Sequence, residues 1–580
     1  MPQSRSALAT GCPERALPAI PDAAFAVPLT RIGALYNHCF MSAKSCATGP
    51  TIPLIGETIG DVFDKTVAAH SGEDALVSRH QGLRLTYADL DRGVSEVAAG
   101  LWGLGIRPGD RVGMWASSCV EWIYLQVATA KIGAVLVNVN PAYRTRDLTY
   151  ILERSGIKAI FLHEQDARVN YADLLDEAKR RSNHSLRASV LLGTSQWDSM
   201  ISGGVAPDPG PRDLHEVVNI QYTSGTTGSP KGVLLTHHNL VNNAYLVGAG
   251  LRWTPADILC MPVPLYHCFG CVLGSLQCIV HGATLVLPSA QFDPLATLQA
   301  LDELRCTTIY GVPTMFVAEL DHPEFASFDT TSLRTGIMAG SPCPVELMKR
   351  VVRQMHCSEM TIAYGQTESS PAITQSTCDD PLEVRTATVG QAMPCTEVKV
   401  IDPETGETVD VGVQGELLTR GYLVMKGYDK DPDNTARAVD GDGWLHTGDL
   451  ATMRPDGNLR ITGRAREMII RGGENVYPRE IEEYLHTHPD IADVYVFGVP
   501  DARLGERVAA WIKARDDSGL AEEAVKAFCQ GQIAHFMIPE LMRFVDEFPL
   551  TVTGKVQKFI MREREIELRG LAKAAAVETA

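Results

Sequence analysis

The stretch Tyr222-Thr-Ser-Gly-Thr-Thr-Gly-Ser-Pro-Lys-Gly232 decides how this chain is read. Its glycines Gly225, Gly228 and Gly232 let the backbone approach an anion and reach φ values that side chains forbid. Thr223, Ser224, Thr226 and Thr227 add hydroxyl donors. Backbone N–H groups in such a turn form an anion-binding concavity, and Lys231 adds a positive point charge. A loop of this make-up points to a nucleoside triphosphate. It is not the usual P-loop, which sets Gly directly before the Lys, Ser or Thr after it, and then a helix. Here Pro230 precedes Lys231 and Gly232 follows it. HEVVNIQ before the loop and GVLLT after it both read as short strands, so the loop is expected to join two strands. The helix comes later, over His237–Val247, with Thr236 as its N-cap.

Outward from the loop, strand and helix patterns alternate. RVGMWAS, AVLVNVN, KAIFLHE and SVLLGT on one side, and ILCMPVPL, ATLVLP and TTIYGVP on the other, are short apolar strands separated by helical stretches. That rhythm predicts largely parallel sheets covered by helices, an α/β fold. Near residue 400 the pattern turns β-rich, with TEVKVID, GELLTR and NLRITGR separated by turns such as PETGE and RPDGN. From Arg466 a smaller α+β unit follows, opening on a helix at Pro478 with Ile481, Tyr484 and Leu485 on one face. The expected organisation is a loose extension over 1–50, a large domain over 51–465 and a small C-terminal domain over 466–580.

At 580 residues the chain is too long for one ordinary domain. Net charge is −18 with no long basic run, which excludes nucleic acid as a main partner. The 14 cysteines lie singly in apolar stretches, apart from Cys268 and Cys271 in HCFGC. No second pair stands at zinc-site spacing, so buried reduced thiols and a reducing compartment are expected. No transmembrane segment is read. The most apolar stretch, Trp122–Val139, carries Gln126, Lys131 and Asn138 and reads as a core helix followed by a buried strand. The N-terminal residues hold Arg5, Arg15 and Arg31 but also Glu14, Asp22 and five prolines. A cytoplasmic protein is expected, with the mitochondrial matrix as the alternative.

The loop, its flanks and five further stretches in order resemble the AMP-forming adenylating enzymes: acyl-CoA synthetases, firefly luciferase and the adenylation domains of peptide synthetases. The resemblance runs from about Gly56 to Arg562. It implies a large N-terminal domain and a small mobile C-terminal one with the site between them. It also implies ATP, Mg²⁺ and CoA as reaction partners. AGSPC at Ala339–Cys343 resembles the loop along adenine, with Gly340 and Ser341 as contacts. In YGQTESS the resemblance assigns Tyr364 to stacking on adenine, Thr367 to the α-phosphate and Glu368 to Mg²⁺, with Gly365 and Gln366 in the same ATP-binding turn. Asp449 in GWLHTGDL would accept from both ribose hydroxyls. Arg464 matches the nucleotide-contacting arginine, and Arg466 falls at the inter-domain hinge, where the family commonly has Asp or Lys. Gly472 and Gly473 would admit the pantetheine arm of CoA, and Lys555 in PLTVTGKVQK matches the catalytic lysine. Lys555, Glu368, Arg464 and His267 form the implied catalytic set.

The same resemblance bears on the acid. Amino-acid-activating relatives carry an Asp early in the pocket; the matching stretch here, PLYHCFG, has His267 and no acid. A buried ammonium without a partner is costly, so the substrate lacks an α-amino group. His267 and Phe269 with Gly311, Met338 and Ala339 are the expected acyl pocket, the small residues leaving room for a chain. RGGENVYPREIE and PLYHCFG look most like the medium-chain fatty acyl-CoA synthetase branch. An aryl-CoA ligase and an acyl-AMP ligase that loads a separate carrier protein are the alternatives.

Overall fold

The computed structural model describes residues 43–571, apart from 167–168, 185, 203, 205–209, 224–229, 342, 465–466, 472–473, 502–503, 516–517, 531, 534 and 551–554. Four sheets organise the described residues. A seven-stranded sheet holds the strands that flank the loop. Its central strands Arg111–Trp115, Val135–Asn138 and Ile157–Leu162 are parallel, and Val217–Thr223 joins them in parallel beside Val135–Asn138. Lys231–Thr236 then turns back antiparallel, with Thr223 opposite Lys231. The loop does join two strands, as its flanks predict.

A nine-stranded sheet carries the second half of the large domain. Its strands Ile258–Cys260, Thr284–Leu287, Thr308–Gly311, Thr335–Met338 and Glu359–Gly365 are mutually parallel. Both sheets are covered by helices, as short, all-apolar parallel strands require. The helix over His237–Gly250 is launched by the loop's return strand. Thr236 Oγ1 accepts from the Asn239 N–H at 3.2 Å, and the Asn239 side chain accepts from the Thr236 N–H at 3.0 Å, a capping box. Trp122–Val139 resolves into the helix Val120–Ile132, ended by Gly133 at φ 72°, and the buried strand Val135–Asn138. The apolar stretch after HCFG was expected as a helix. It is a π-helix over Cys271–Leu276 that continues as an α-helix over Gln277–His281.

The β-rich layer is a five-stranded antiparallel sheet. Its edge strand, Cys46–Thr48, pairs with Thr396–Ile401 and comes from inside the segment expected to be a loose extension. Backbone pairing supplied by the distant 396–401 strand orders a stretch that has little pattern of its own. The C-terminal unit packs the helices Pro478–Leu485, Glu522–Cys529 and Lys558–Leu568 on a mostly antiparallel sheet built around Ile491–Asp501 and Gly505–Ala514. Most described cysteines are buried and none is disulfide-bonded. Cys46 is exposed, and Cys343, Cys378 and Cys395 are only part-buried. Among the described residues no helix is long and apolar enough to cross a membrane, and no His/Cys/Asp/Glu cluster has metal-site character.

Candidate active site

The site is built where the ends of the nine-stranded sheet, the loop strands, the β-rich layer and the C-terminal unit meet. Strand Glu359–Gly365 ends in a tight turn. A Cβ on Gly365 would stand 1.8 Å from the Pro371 carbonyl oxygen, so only glycine fits there. Gln366 donates its N–H to that carbonyl at 3.0 Å. The turn then presents Thr367 and Glu368 in a short 3₁₀ segment. The Tyr364 hydroxyl donates to Asp449 Oδ2 at 2.7 Å, and Arg464 Nε lies 3.2 Å from Asp449 Oδ1. Asp449 and Arg464 face each other across paired antiparallel strands, which sets this geometry. Burial raises the Asp449 carboxyl; Arg464 and the Tyr364 hydroxyl oppose that rise. Burial likewise raises the Glu368 carboxyl, opposed by hydrogen bonds and by Lys231 and Arg464.

Lys555 comes from the C-terminal unit and reaches this group. A Cβ built on Gly340 would stand 3.7 Å from Lys555 Cε and 3.1 Å from Val312 Cγ1, and Gly340 has φ +89°. The lysine stem thus passes within van der Waals reach of Gly340, whose positive φ favours glycine. Burial is the largest influence on the Lys555 ammonium and lowers its pKa; Arg464 acts in the same direction, while Cys268, Asp449 and Glu368 oppose it. Ser341 follows Gly340 and is part-buried.

His267 caps the short helix Cys268–Gly270, and its Nδ1 accepts from the Phe269 N–H at 3.2 Å. In the neutral ring the proton therefore sits on Nε2. Burial, reinforced by Lys555, pulls the His267 pKa down to about 3, so the ring is neutral at physiological pH. Cys268 Sγ lies 3.7 Å from Thr367 Oγ1 and 3.6 Å from His267 Nδ1, and burial pushes its thiol up to about 11. Cys271 turns elsewhere, to Asn138 Nδ2 at 3.5 Å and Gln221 Nε2 at 3.4 Å. The C-x-x-C pair thus has two separate sets of neighbours.

Two residues of the expected acyl pocket need correction. Successive residues of a strand face opposite sides of the sheet. Met338 packs with Ile309, Met348 and Ile362 in one core, while Ile337 and Ala339 lie in the other core with Phe269 and Tyr310. Gly311 faces as Met338 does: a Cβ there would meet the Phe316 ring at 2.9 Å, so that space is already filled. Ala339 and Phe269 remain on the His267 side. Tyr310 packs in that same core, where it stacks on Phe269 at 5.7 Å and on Trp253 at 5.9 Å, and its hydroxyl accepts from Gln277 Nε2 at 2.7 Å. Tyr310 stands in TTIYGVP beside the glycine that was singled out, and alternation along that strand was the available signal.

The loop lysine is held at the strand end, where Lys231 Nζ donates to Asn434 Oδ1 at 3.1 Å and lies 5.0 Å from the centre of the Tyr428 ring. Thr223 closes the other strand. Ser224, Gly225, Thr226, Thr227 and Gly228 lie outside the described residues, as do Arg466, Gly472 and Gly473.

A family model described as AMP-binding enzyme matches residues 63–429, and the model of the AMP-binding enzyme C-terminal domain matches 480–555. The putative acyl-CoA synthetase YngI of Bacillus subtilis (strain 168) is 46% identical over 544 residues, covering 90% of this chain and 99% of that protein. The mitochondrial medium-chain acyl-CoA ligase ACSF2 of Bos taurus is 40% identical over 540 residues, covering 88% of each. Among solved structures, ATP-bound MatB from Rhodopseudomonas palustris superposes with a TM-score of 0.79 at 28% identity, covering 88% of this chain and all of that one. Matched along both its large and small units, the chain belongs to the AMP-binding enzyme family.

Proposed function

We propose that this chain is an ATP-dependent acid–thiol ligase. It activates a medium-chain fatty acid as acyl-AMP with release of pyrophosphate, then passes the acyl group to CoA with release of AMP. The observation that carries the reading is Lys555. A cation on the small C-terminal unit is delivered next to Gly340, among Cys268, Asp449, Arg464 and Glu368 of the large one. Attack of a carboxylate on the α-phosphorus is opposed chiefly by charge repulsion, and cations fixed in a water-poor site relieve it most in the transition state.

In this reading Thr367 and Lys555 contact the α-phosphate, while Lys231 and the loop residues Ser224–Gly228 hold the outer phosphates. Tyr364, Gly340 and Ser341 flank the base. Asp449 holds the ribose, with Arg464 keeping the carboxylate ionised. Neutral His267 lines the carboxylate end of the acyl pocket and offers its Nε2–H as a donor. Glu368 supplies the hard oxygen that Mg²⁺ prefers, and one carboxylate plus phosphate oxygens is a usual magnesium set; when bound, the ion neutralises phosphate charge. The second half-reaction would use a rotation about Arg466 that withdraws Lys555 and brings Gly472 and Gly473 to the site.

A fatty acid is favoured by the apolar core of Phe269, Tyr310 and Ala339 next to His267, by the lack of an acid in PLYHCFG, and by similarity to a medium-chain acyl-CoA ligase. A panel of straight-chain, aromatic and amino acids with ATP and CoA, scored for acyl-CoA by mass, tests it. Each buried methylene contributes up to roughly 0.8 kcal/mol, so kcat/KM should climb with chain length and then fall once the chain overruns the pocket. A preference for benzoate-like acids moves the protein to the aryl-CoA ligases. Pyrophosphate release without any acyl-CoA moves it to ligases that load a carrier protein.

A further inference from the structure

Between the loop strands and the β-rich layer stands a residue that none of the motifs singled out. Tyr428 belongs to the two-residue edge strand Gly427–Tyr428, which pairs antiparallel with the loop's return strand, Tyr428 opposite Val233. Its backbone is held from several sides. Asp429 donates its N–H to the Gly232 carbonyl at 2.7 Å, and the Tyr428 N–H donates to Thr435 Oγ1 at 2.8 Å. The next side chain, Asp429, is buried and takes both arms of the Arg111 guanidinium, at 2.7 and 2.8 Å. A bidentate pair of this kind fixes orientation as well as position.

So anchored, the tyrosine engages two charged groups of the site. Its hydroxyl donates to Glu368 Oε1 at 2.9 Å, and its ring lies 5.0 Å from Lys231 Nζ. Lys231 also donates to Asn434, whose Nδ2 donates to Asp431 Oδ2 at 2.8 Å. A lysine and a glutamate free to meet would pair and neutralise each other. Here one tyrosine engages both, giving the anion a hydroxyl and the cation a π face.

Resting on the ligase reading above, we infer that Tyr428 is a positioning residue for adenylation. Its hydroxyl aims the Glu368 carboxylate and its ring seats the Lys231 ammonium, so that both charges are positioned for the triphosphate. Tyr428 acts through these two side chains and takes no part in CoA capture.

Three variants of the full chain test this: Tyr428→Phe, Tyr428→Leu, and Tyr428→Phe combined with Glu368→Gln. A hydrogen bond to a charged group is worth about ten-fold or more in rate when it is made in the transition state. Tyr428→Phe should lower kcat for pyrophosphate release by about ten-fold, with KM for ATP changing far less and the melting temperature kept. On the Glu368→Gln background the same change should add little, because the hydroxyl acts through the carboxylate. Tyr428→Leu also removes the ring, and should weaken calorimetric binding of α,β-methylene-ATP with Mg²⁺ beyond the effect of Tyr428→Phe. Thioester formation from supplied acyl-AMP should stay at the wild-type rate in both tyrosine variants. Wild-type pyrophosphate release by Tyr428→Phe overturns the inference, as does an undiminished loss on the Glu368→Gln background or equal loss in both half-reactions. A wild-type chain that releases no pyrophosphate with any acid overturns the ligase reading itself, and this inference with it.

Discussion

Tyr364 and Asp449 are hydrogen-bonded to each other, hydroxyl to carboxylate at 2.7 Å, although they lie 85 residues apart and belong to different sheets. Burial raises the Tyr364 pKa well above its ordinary value, so the phenol keeps its proton and donates. With Arg464 on Oδ1 and Tyr364 on Oδ2, both carboxylate oxygens are engaged. Tyr364→Phe should destabilise the nucleotide-free protein by about 1.5–3 kcal/mol, the range for a hydrogen bond to a charged group. If Asp449 receives the ribose, saturating ATP supplies replacement donors and the deficit in thermal unfolding shrinks. An unchanged deficit with ATP present speaks against a ribose at Asp449.

Lys555→Ala should reduce adenylation by ~10² or more, the scale of removing a preorganised transition-state donor. Formation of thioester from supplied acyl-AMP should suffer much less. Separate assays of pyrophosphate release and acyl-CoA formation check this, and equal losses in the two would remove Lys555 from the first step.

The C-terminal end of strand Thr335–Met338 and the residue after it make opposed predictions. Ala339→Val adds bulk on the Phe269 side and should move the chain-length optimum to shorter acids, at about 1–3 kcal/mol of discrimination for each methylene excluded. Met338→Ala opens a cavity in the opposite core and should cost about 2–5 kcal/mol of stability while leaving the ranking of acids unchanged. Denaturant titrations and the acid panel, run on both variants, separate pocket from core.

His281 is part-buried, stacked on Tyr245 at 5.5 Å, and its Nε2–H donates to the Tyr245 carbonyl at 3.1 Å. Burial pulls its pKa down to about 4, from 6.5 in an unfolded chain. The folded value is the lower one, so the unfolded state binds more protons between the two. Its contribution to stability is whole above about pH 6.5 and is lost progressively as pH falls toward 4. His281→Gln should flatten the stability profile across that window, measured by urea unfolding at a series of pH values.

Arg466→Pro fixes φ at the expected hinge, which lies outside the described residues. Pyrophosphate release should persist while acyl-CoA formation falls, since the half-reactions would then need different domain orientations. Thioester formation at the wild-type rate would place the pivot elsewhere.

What the sequence determined by itself is local. Apolar runs of four to seven residues between helical patterns, and a glycine–hydroxyl loop flanked by strand signals, require only near neighbours. Hence Val217–Thr223, Lys231–Thr236 and the Thr236-capped helix lie where periodicity and capping chemistry put them. The wording of the motifs also sufficed to single out Glu368, Asp449 and Arg464, and the structure sets Glu368 near Lys231 and Asp449 beside Arg464. Tertiary structure alone decided which of these residues face one another. Met338 and Ala339 are adjacent letters, yet the pleat sends them into different cores. Cys46–Thr48 has no strand pattern and is ordered by a partner more than three hundred residues away. Tyr428 looks like an ordinary residue of a GY pair until sheet pairing and the Arg111–Asp429 clamp set it against both Lys231 and Glu368. Side-chain periodicity and turn propensity act over a few residues, whereas a site assembled from two sheets, a β-rich layer and a second domain depends on contacts that no short window of sequence contains.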